Sequence, residues 1–314
     1  MSTYCVIGSL YYSLSTQCER FPNPGEHIEV TSLAPSYGGP GGNIAATLAS
    51  FGAKVSFIGK VGSDSFGKTY IASLQKLGVL TSDIKAEPKF ATGMMLRTAD
   101  AAGEQTELIY PGANAKLDDS YLSIHSDTLK QCDYLLLQGD IPSSTAILAK
   151  ELARKAGKTI FMAPGITATY PAVIYDMLDY ITPSREETKS LTGIDVVDGA
   201  SAKRASSWFF KRGARNVLIT CGAEGVFFFD RNGGHHFGAY RDIRIVDETD
   251  AGDVFNAAFA FAIGRGDTMQ DAIYFAQAAA AVSIQKPGGA QASIPSLMEI
   301  EMLCNSQLLD TYTI

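Results

Sequence analysis

The segment Asp247-Glu248-Thr249-Asp250-Ala251-Gly252-Asp253 runs straight into Val254-Phe255-Asn256-Ala257-Ala258-Phe259-Ala260, a stretch of mostly small and apolar residues that reads as a helix. Backbone N–H groups at a helix start carry partial positive charge, and glycine lets an anion come close to them. The Ala251-Gly252 turn therefore suits a phosphoryl group in transfer. Asp253, one residue further on, is placed to take a proton from a hydroxyl that attacks it. Taken alone, the same residues would serve as an ordinary helix cap.

A second candidate lies far upstream, where Gly38-Gly39-Pro40-Gly41-Gly42-Asn43 precedes a helical run over residues 44–51. So many glycines let the backbone press against a small ligand, and Asn43 offers both a donor and an acceptor where the helix begins. A plain tight turn with a helix cap would use the same residues.

Together the two segments resemble the paired signatures of the PfkB-type carbohydrate kinases, the ribokinase family. The early loop continues into Ala53-Lys54-Val55-Ser56-Phe57-Ile58-Gly59-Lys60-Val61-Gly62-Ser63-Asp64-Ser65-Phe66-Gly67, similar to that family's first signature, and residues 247–253 resemble its second. Between them, Ile181-Thr182-Pro183-Ser184-Arg185-Glu186-Glu187 and Leu218-Ile219-Thr220-Cys221-Gly222-Ala223-Glu224-Gly225-Val226 fall in the expected order. Four ordered motifs weigh far more than one glycine pattern.

The resemblance implies ATP-dependent phosphorylation of a hydroxymethyl group on a sugar or sugar-like alcohol. Asp253 would be the base, and the backbone amides of Asp250, Ala251, Gly252 and Asp253 the anion hole. Gly39, Gly41, Gly42 and Asn43 would hold the acceptor, with Asp140 on another hydroxyl or, alternatively, shaping the turn before Ile141-Pro142. Thr220, Gly222 and Gly225 match the nucleotide-phosphate loop, and Gln277 falls where a residue flanks the adenine. Glu187 matches the acidic residue that organises Mg2+ and its waters, although a first-turn carboxylate offsetting a helix dipole would look the same. Asp247, Thr249, Ser283, Gly288 and Ser293 resemble the positions that ring a monovalent cation, K+ by expectation.

Three departures from the family pattern stand out, at four residues in all. After the first strand an Asn and then an Asp usually grip the sugar, whereas here Tyr11 and Ser13 occupy those places in Gly8-Ser9-Leu10-Tyr11-Tyr12-Ser13. A carboxylate bonds a hydroxyl more strongly than a neutral hydroxyl does, so ribose and fructose are expected to be poor acceptors. Ser184 stands for an Asn beside the magnesium site, and Asp250 replaces a glycine or small residue. If the Asp250 side chain faced the phosphate, repulsion would slow the reaction; facing solvent, it would change little. Two other readings follow: a nucleoside kinase in which Tyr11 or Tyr12 packs against a base, and a catalytically weak ligand-binding protein on the same fold.

The rest of the chain must position these groups. Its 314 residues are 46% hydrophobic and 19% charged, enough for a sizeable core. A net charge of -7 argues against nucleic acid or an anionic membrane as the main partner. The N-terminal residues show neither a basic leader nor a long apolar run, so the cytoplasm is expected. Five scattered cysteines lack the close spacing of zinc or redox sites, and His235-His236 reads as a turn between strands rather than a metal site.

Short apolar runs at residues 6–7, 55–58, 134–137, 159–162 and 217–220 read as buried strands, and helical runs such as 67–77 and 144–156 are stopped by Gly78 and Gly157. That alternation predicts an α/β fold of three layers, a mostly parallel sheet with helices on both faces, built as one unit. Two stretches interrupt it: residues 27–31 with 34–37, and 93–97 with 106–110, each read as an antiparallel pair. The resemblance makes segments near 10–37 and 90–111 a small β lid that closes over the sugar and carries a homodimer contact.

Overall fold

The computed structural model describes residues 2–165 and 170–314. Its strands in chain order are β1 (Thr3–Ile7), β2 (Tyr11–Gln17), β3 (Ser32–Gly38), β4 (Lys54–Gly62), β5 (Leu80–Glu87), β6 (Gly93–Ala99), β7 (Gln105–Tyr110), β8 (Tyr134–Gln138), β9 (Thr159–Ala163), β10 (Tyr180–Ile181), β11 (Asn216–Thr220), β12 (Val226–Phe229), β13 (Gly234–Phe237) and β14 (Thr311–Thr313). Ten of them form one sheet in the order β14-β13-β12-β11-β10-β9-β8-β1-β4-β5. Neighbours from β11 to β5 are parallel, and β12, β13 and β14 add an antiparallel edge.

The central strands are apolar over most of their length, on both faces, because both faces are covered. Alternation along each strand sends Tyr4, Val6, Val55, Phe57, Leu136 and Leu218 into one core. Cys5, Ile7, Ile58, Leu135, Leu137 and Ile219 enter the other. The helices Pro40–Ser50, Ala251–Arg265 and Met269–Ser283 seal the first core, and Ser143–Lys155 and Gly199–Phe210 the second. Gly78 and Gly157 follow their helices in the left-handed region, at φ 92 and φ 70, as the two helix stops required. The three-layer expectation is met.

A separate four-stranded sheet, β3-β2-β6-β7, stands beside the main one. The pairing of β6 with β7 is antiparallel as read from the sequence. The other pair is corrected: residues 27–31 form no strand, and β3 pairs instead with β2, Tyr11 opposite Gly38 and Gln17 opposite Ser32. The alternation in residues 27–31 has no surface to cover, for Val30 stays 49% exposed. A second correction concerns His235 and His236, which lie inside β13 between β12 and β14; the turn is at residues 230–233.

Candidate active site

The helix Ala251–Arg265 begins with Asp250 in the left-handed region at φ 61, a conformation that Asp tolerates better than most residues. In the turn the amide of Ala251 donates to Glu248 O at 3.3 Å and that of Asp253 to Asp250 O at 3.0 Å. Two of the four expected anion-hole amides thus already donate within the turn. Nothing lies within 4 Å of the place a side chain at Gly252 would take, so this turn faces open space.

Asp253 points back toward the glycine loop, where Asn43 Nδ2 donates to its Oδ2 at 2.8 Å across 210 positions of sequence. Burial, and then the negative charge of Asp250, raise the Asp253 carboxyl well above its ordinary range, against the opposing bond from Asn43. A carboxylate so destabilised is a stronger base, which is what a hydroxyl proton requires. Gln291 supports the arrangement, its Nε2 lying 2.7 Å from the Tyr70 hydroxyl and 3.5 Å from Asn43 Oδ1, while Tyr70 donates to Gly38 O at 2.6 Å.

The loop glycines divide by role. A side chain on Gly41 would meet the Gly8 backbone, one on Gly42 the Tyr70 hydroxyl, and one on Gly39 the Tyr11 ring, so these three leave room for protein. Gly38, read from the sequence as the start of the glycine loop but given no role of its own, is different. A Cβ there would sit 3.3 Å from Ser13 Oγ and 3.9 Å from both Asn43 Oδ1 and Asp250 Oδ2. Tyr11 is buried with its ring between Gly39 and Gly93.

Asp140 accepts a hydrogen bond from Ser9 Oγ, yet its Oδ1 is buried with no partner among the described residues. Burial pushes its carboxyl up to about 6. Asp140, Ser184, Glu187, Gly252 and Asp253 line one pocket of about 150 Å³. Ser184 and Glu187 also form a capping box for the helix Arg185–Thr192, the Ser184 amide donating to Glu187 Oε2 at 2.7 Å. Glu187 therefore holds a helix end and faces the pocket at once, and burial pushes it up to about 7.

On the other side of Gly252 opens a cleft of about 1270 Å³, lined by Ser184, Thr220, Gly222, Gly225 and Gln277, every nucleotide residue expected from the sequence. Gln277 Nε2 donates to Gly238 O at 3.1 Å, and its Oε1 is buried without a partner among the described residues. Arg185 and Glu224, an ion pair with a 2.6 Å contact, and His236 line the same cleft and were not anticipated.

The five residues assigned to a monovalent cation come together in part. Asp247 accepts from the amides of Thr249, Gly288 and Gly289 at 2.9, 3.1 and 3.3 Å, which ties the segment before the anion turn to the start of the short helix Gly289–Ser293. Ser293 Oγ donates to Gly289 O at 2.7 Å and Ser283 Oγ to Ala280 O at 2.8 Å.

The sequence pattern of the pfkB family carbohydrate kinases matches residues 1–297. The chain belongs to that family. This pfkB kinase is 35% identical to a ribokinase of Haemophilus influenzae over 95% of its own length and 96% of the relative's, and 31% identical to one of Staphylococcus aureus over 95% and 98%. Its fold superimposes on Arabidopsis thaliana ribokinase complexed with ribose and ATP with a TM-score of 0.89, at 26% identity over 98% of this chain and 100% of that one. Thermotoga maritima ribokinase gives a TM-score of 0.85 at 31% identity, over 98% of this chain and 100% of that one. The carbohydrate-kinase reading and the ribokinase-like fold are met.

The third departure resolves in a way the sequence did not offer. Asp250 faces neither the phosphate turn nor open solvent. Its Oδ2 looks toward Gly38 and its Oδ1 lies 3.8 Å from Arg97 on β6.

Proposed function

We propose that the chain transfers the terminal phosphoryl group of ATP to the hydroxymethyl group of a neutral pentose of the ribose class. The observation that carries this is the Asn43-held carboxylate of Asp253, set between the space before Gly38 and the cleft that begins at Gly252. The full-length likeness to ribokinases supports the acceptor. The expectation that Ser13 makes ribose a poor acceptor is set aside here, because the Asp250 carboxylate stands beside it.

In the reaction the pentose hydroxymethyl loses its proton to Asp253 as its oxygen attacks the phosphoryl in line, and the exposed start of the helix Ala251–Arg265 steadies the charge. Glu187 and Asp140 offer the oxygens that Mg2+ and its waters prefer. Magnesium held there would neutralise phosphate charge. The small sheet acts as the lid of a single kinase unit and as the contact of a homodimer. The setting is the cytoplasm, with ATP at hand and the five cysteines unpaired.

An ADP-release assay across pentoses, hexoses, sugar phosphates and nucleosides tests the acceptor. Ribose or deoxyribose should give the fastest turnover; fastest turnover of a nucleoside would overturn the reading.

Two further outcomes are expected. Gly252→Ala should leave the melting temperature equal or higher, since alanine stabilises a helix by roughly 0.5–1 kcal/mol over glycine, while lowering kcat by tenfold or more, roughly, because the methyl stands where the phosphoryl must approach. K+ should raise turnover over Na+ or Li+ at constant ionic strength, through the Asp247 tie to the start of the helix Gly289–Ser293. Equal kinetics in the three salts would remove the cation.

A further inference from the structure

Three oxygens converge on the bare face of Gly38: Ser13 Oγ from β2, Asn43 Oδ1 from the helix Pro40–Ser50, and Asp250 Oδ2 from the turn before the helix Ala251–Arg265. All three accept hydrogen bonds, and a Cβ built at Gly38 would make only ordinary contacts with two of them, so the space between them is real. The nitrogen of Asn43 is already engaged by Asp253. Asp250 and Asn43 present acceptor oxygens here and the Ser13 hydroxyl both donates and accepts, a set that the hydroxyls of a polyol can meet on every side.

The direction of Asp250 follows from its backbone. An Asp in front of a helix ordinarily turns its carboxylate onto the first-turn amides, but at φ 61 the side chain makes no capping bond and leaves toward Gly38. Arg97 of β6 holds it from the far side: its Nη2 lies 2.8 Å from Glu107 and 3.8 Å from Asp250 Oδ1. Two carboxylates share that one guanidinium, so the cluster presents net negative charge to an incoming acceptor. A cavity of about 370 Å³ lined by Arg97, Glu107, Glu248 and Thr249 opens on the same side.

We propose that Asp250, set by Arg97, is a specificity-determining residue that grips a hydroxyl of the acceptor other than the one phosphorylated, and that it does so at the point Ser13 also faces. The site thereby favours neutral polyols and rejects acceptors already carrying phosphate or carboxylate. The proposal rests on the acceptor reading above.

Its consequence reverses what Ser13 alone suggests. Adding a carboxylate at position 13 to the native chain sets two negative charges on one point, and should weaken acceptor binding. Removing the one at 250 first should make the same change beneficial.

The test uses ribose and a series of its monodeoxy analogues with native protein, Asp250→Gly, Ser13→Asp, the double variant and Gly38→Ala. Glycine accepts the left-handed turn, and the alanine methyl meets nothing closer than 3.3 Å, so these variants should fold. Asp250→Gly should raise the ribose KM about ten- to a hundredfold, the usual worth of a charge-assisted bond. On the one analogue that lacks the gripped hydroxyl, KM should change by less than about threefold. Ser13→Asp should harm the native chain and restore the Asp250→Gly variant, and Gly38→Ala should raise the acceptor KM more than that of ATP. An acceptor KM within about threefold of native in both single variants at 250 and 38, an equal loss on ribose and every analogue, or no recovery in the double variant would overturn the proposal. If the native protein itself phosphorylates no sugar, the acceptor reading falls first and the proposal with it. That failure shows in the native protein, and the others only in variants of an active enzyme.

Discussion

Asp253→Asn is expected to lower turnover by roughly two to four decades, the range a positioned base contributes, with the KM of ATP changed far less. The variant should also be at least as stable as the native chain at neutral pH, which sets the effect apart from misfolding. Burial and the Asp250 charge raise the folded-state pKa of Asp253 above its unfolded value. Between those two values the native state binds more protons than the unfolded one, so stability falls as pH rises through that window. Asp140 and Glu187, pushed up to about 6 and about 7, act with the same sign. An asparagine at 253 carries no charge to destabilise and can turn its own oxygen to Asn43 Nδ2. Thermal melts should therefore show the variant's advantage growing from acidic to neutral pH, while the native kcat declines on the acid side as the base protonates. Turnover above a tenth of native would remove Asp253 from the role of base. Melts that fall equally at every pH would show that its charge is not strained.

The parts of this site that were legible in the sequence are those fixed by neighbours in the chain. The anion turn and its aspartate lie within residues 247–253, and the nucleotide residues around Thr220 sit on one strand and its following loop. Strand and helix alternation showed the main sheet for the same reason, because apolar runs and glycine stops are local signals. The roles of Arg97, Gly38, Tyr70 and Gln291 were not legible. Their places depend on how β2 pairs at once with β3 and β6, and on where the helix Gly289–Ser293 docks. The direction of Asp250 turns on a single backbone angle, and an Asp before a helix looks like a cap in any sequence. The mistaken strand at residues 27–31 has the alternation of a strand but nothing to cover. β14 was missed for the opposite reason, since all three of its residues are exposed and give no apolar signal.

Gly41→Ala should impair both folding and chemistry. The added methyl would stand 2.8 Å from the Cα and carbonyl carbon of Gly8 and 2.9 Å from the Ser9 nitrogen. Every atom it meets is backbone, so no side chain can swing aside, and the helix Pro40–Ser50 must move from the end of β1 by several tenths of an ångström or more. Overpacking of this kind costs about 1–3 kcal/mol, read as a lower melting temperature. The displaced helix carries Asn43, whose bond to Asp253 sets the direction of the base, and its neighbour Gly42 is pinned by a hydrogen bond to Ser9 O at 3.2 Å and by the Tyr70 hydroxyl against its face. A shift of about 1 Å at a reacting group can cost on the order of a hundredfold in rate. Gly41→Ala should therefore lose both melting temperature and kcat per folded molecule, whereas Gly252→Ala should lose only the second. A Gly41→Ala protein that melts early but turns over normally when folded would mean that the glycine loop serves the core alone, and that Asn43 finds Asp253 without its help.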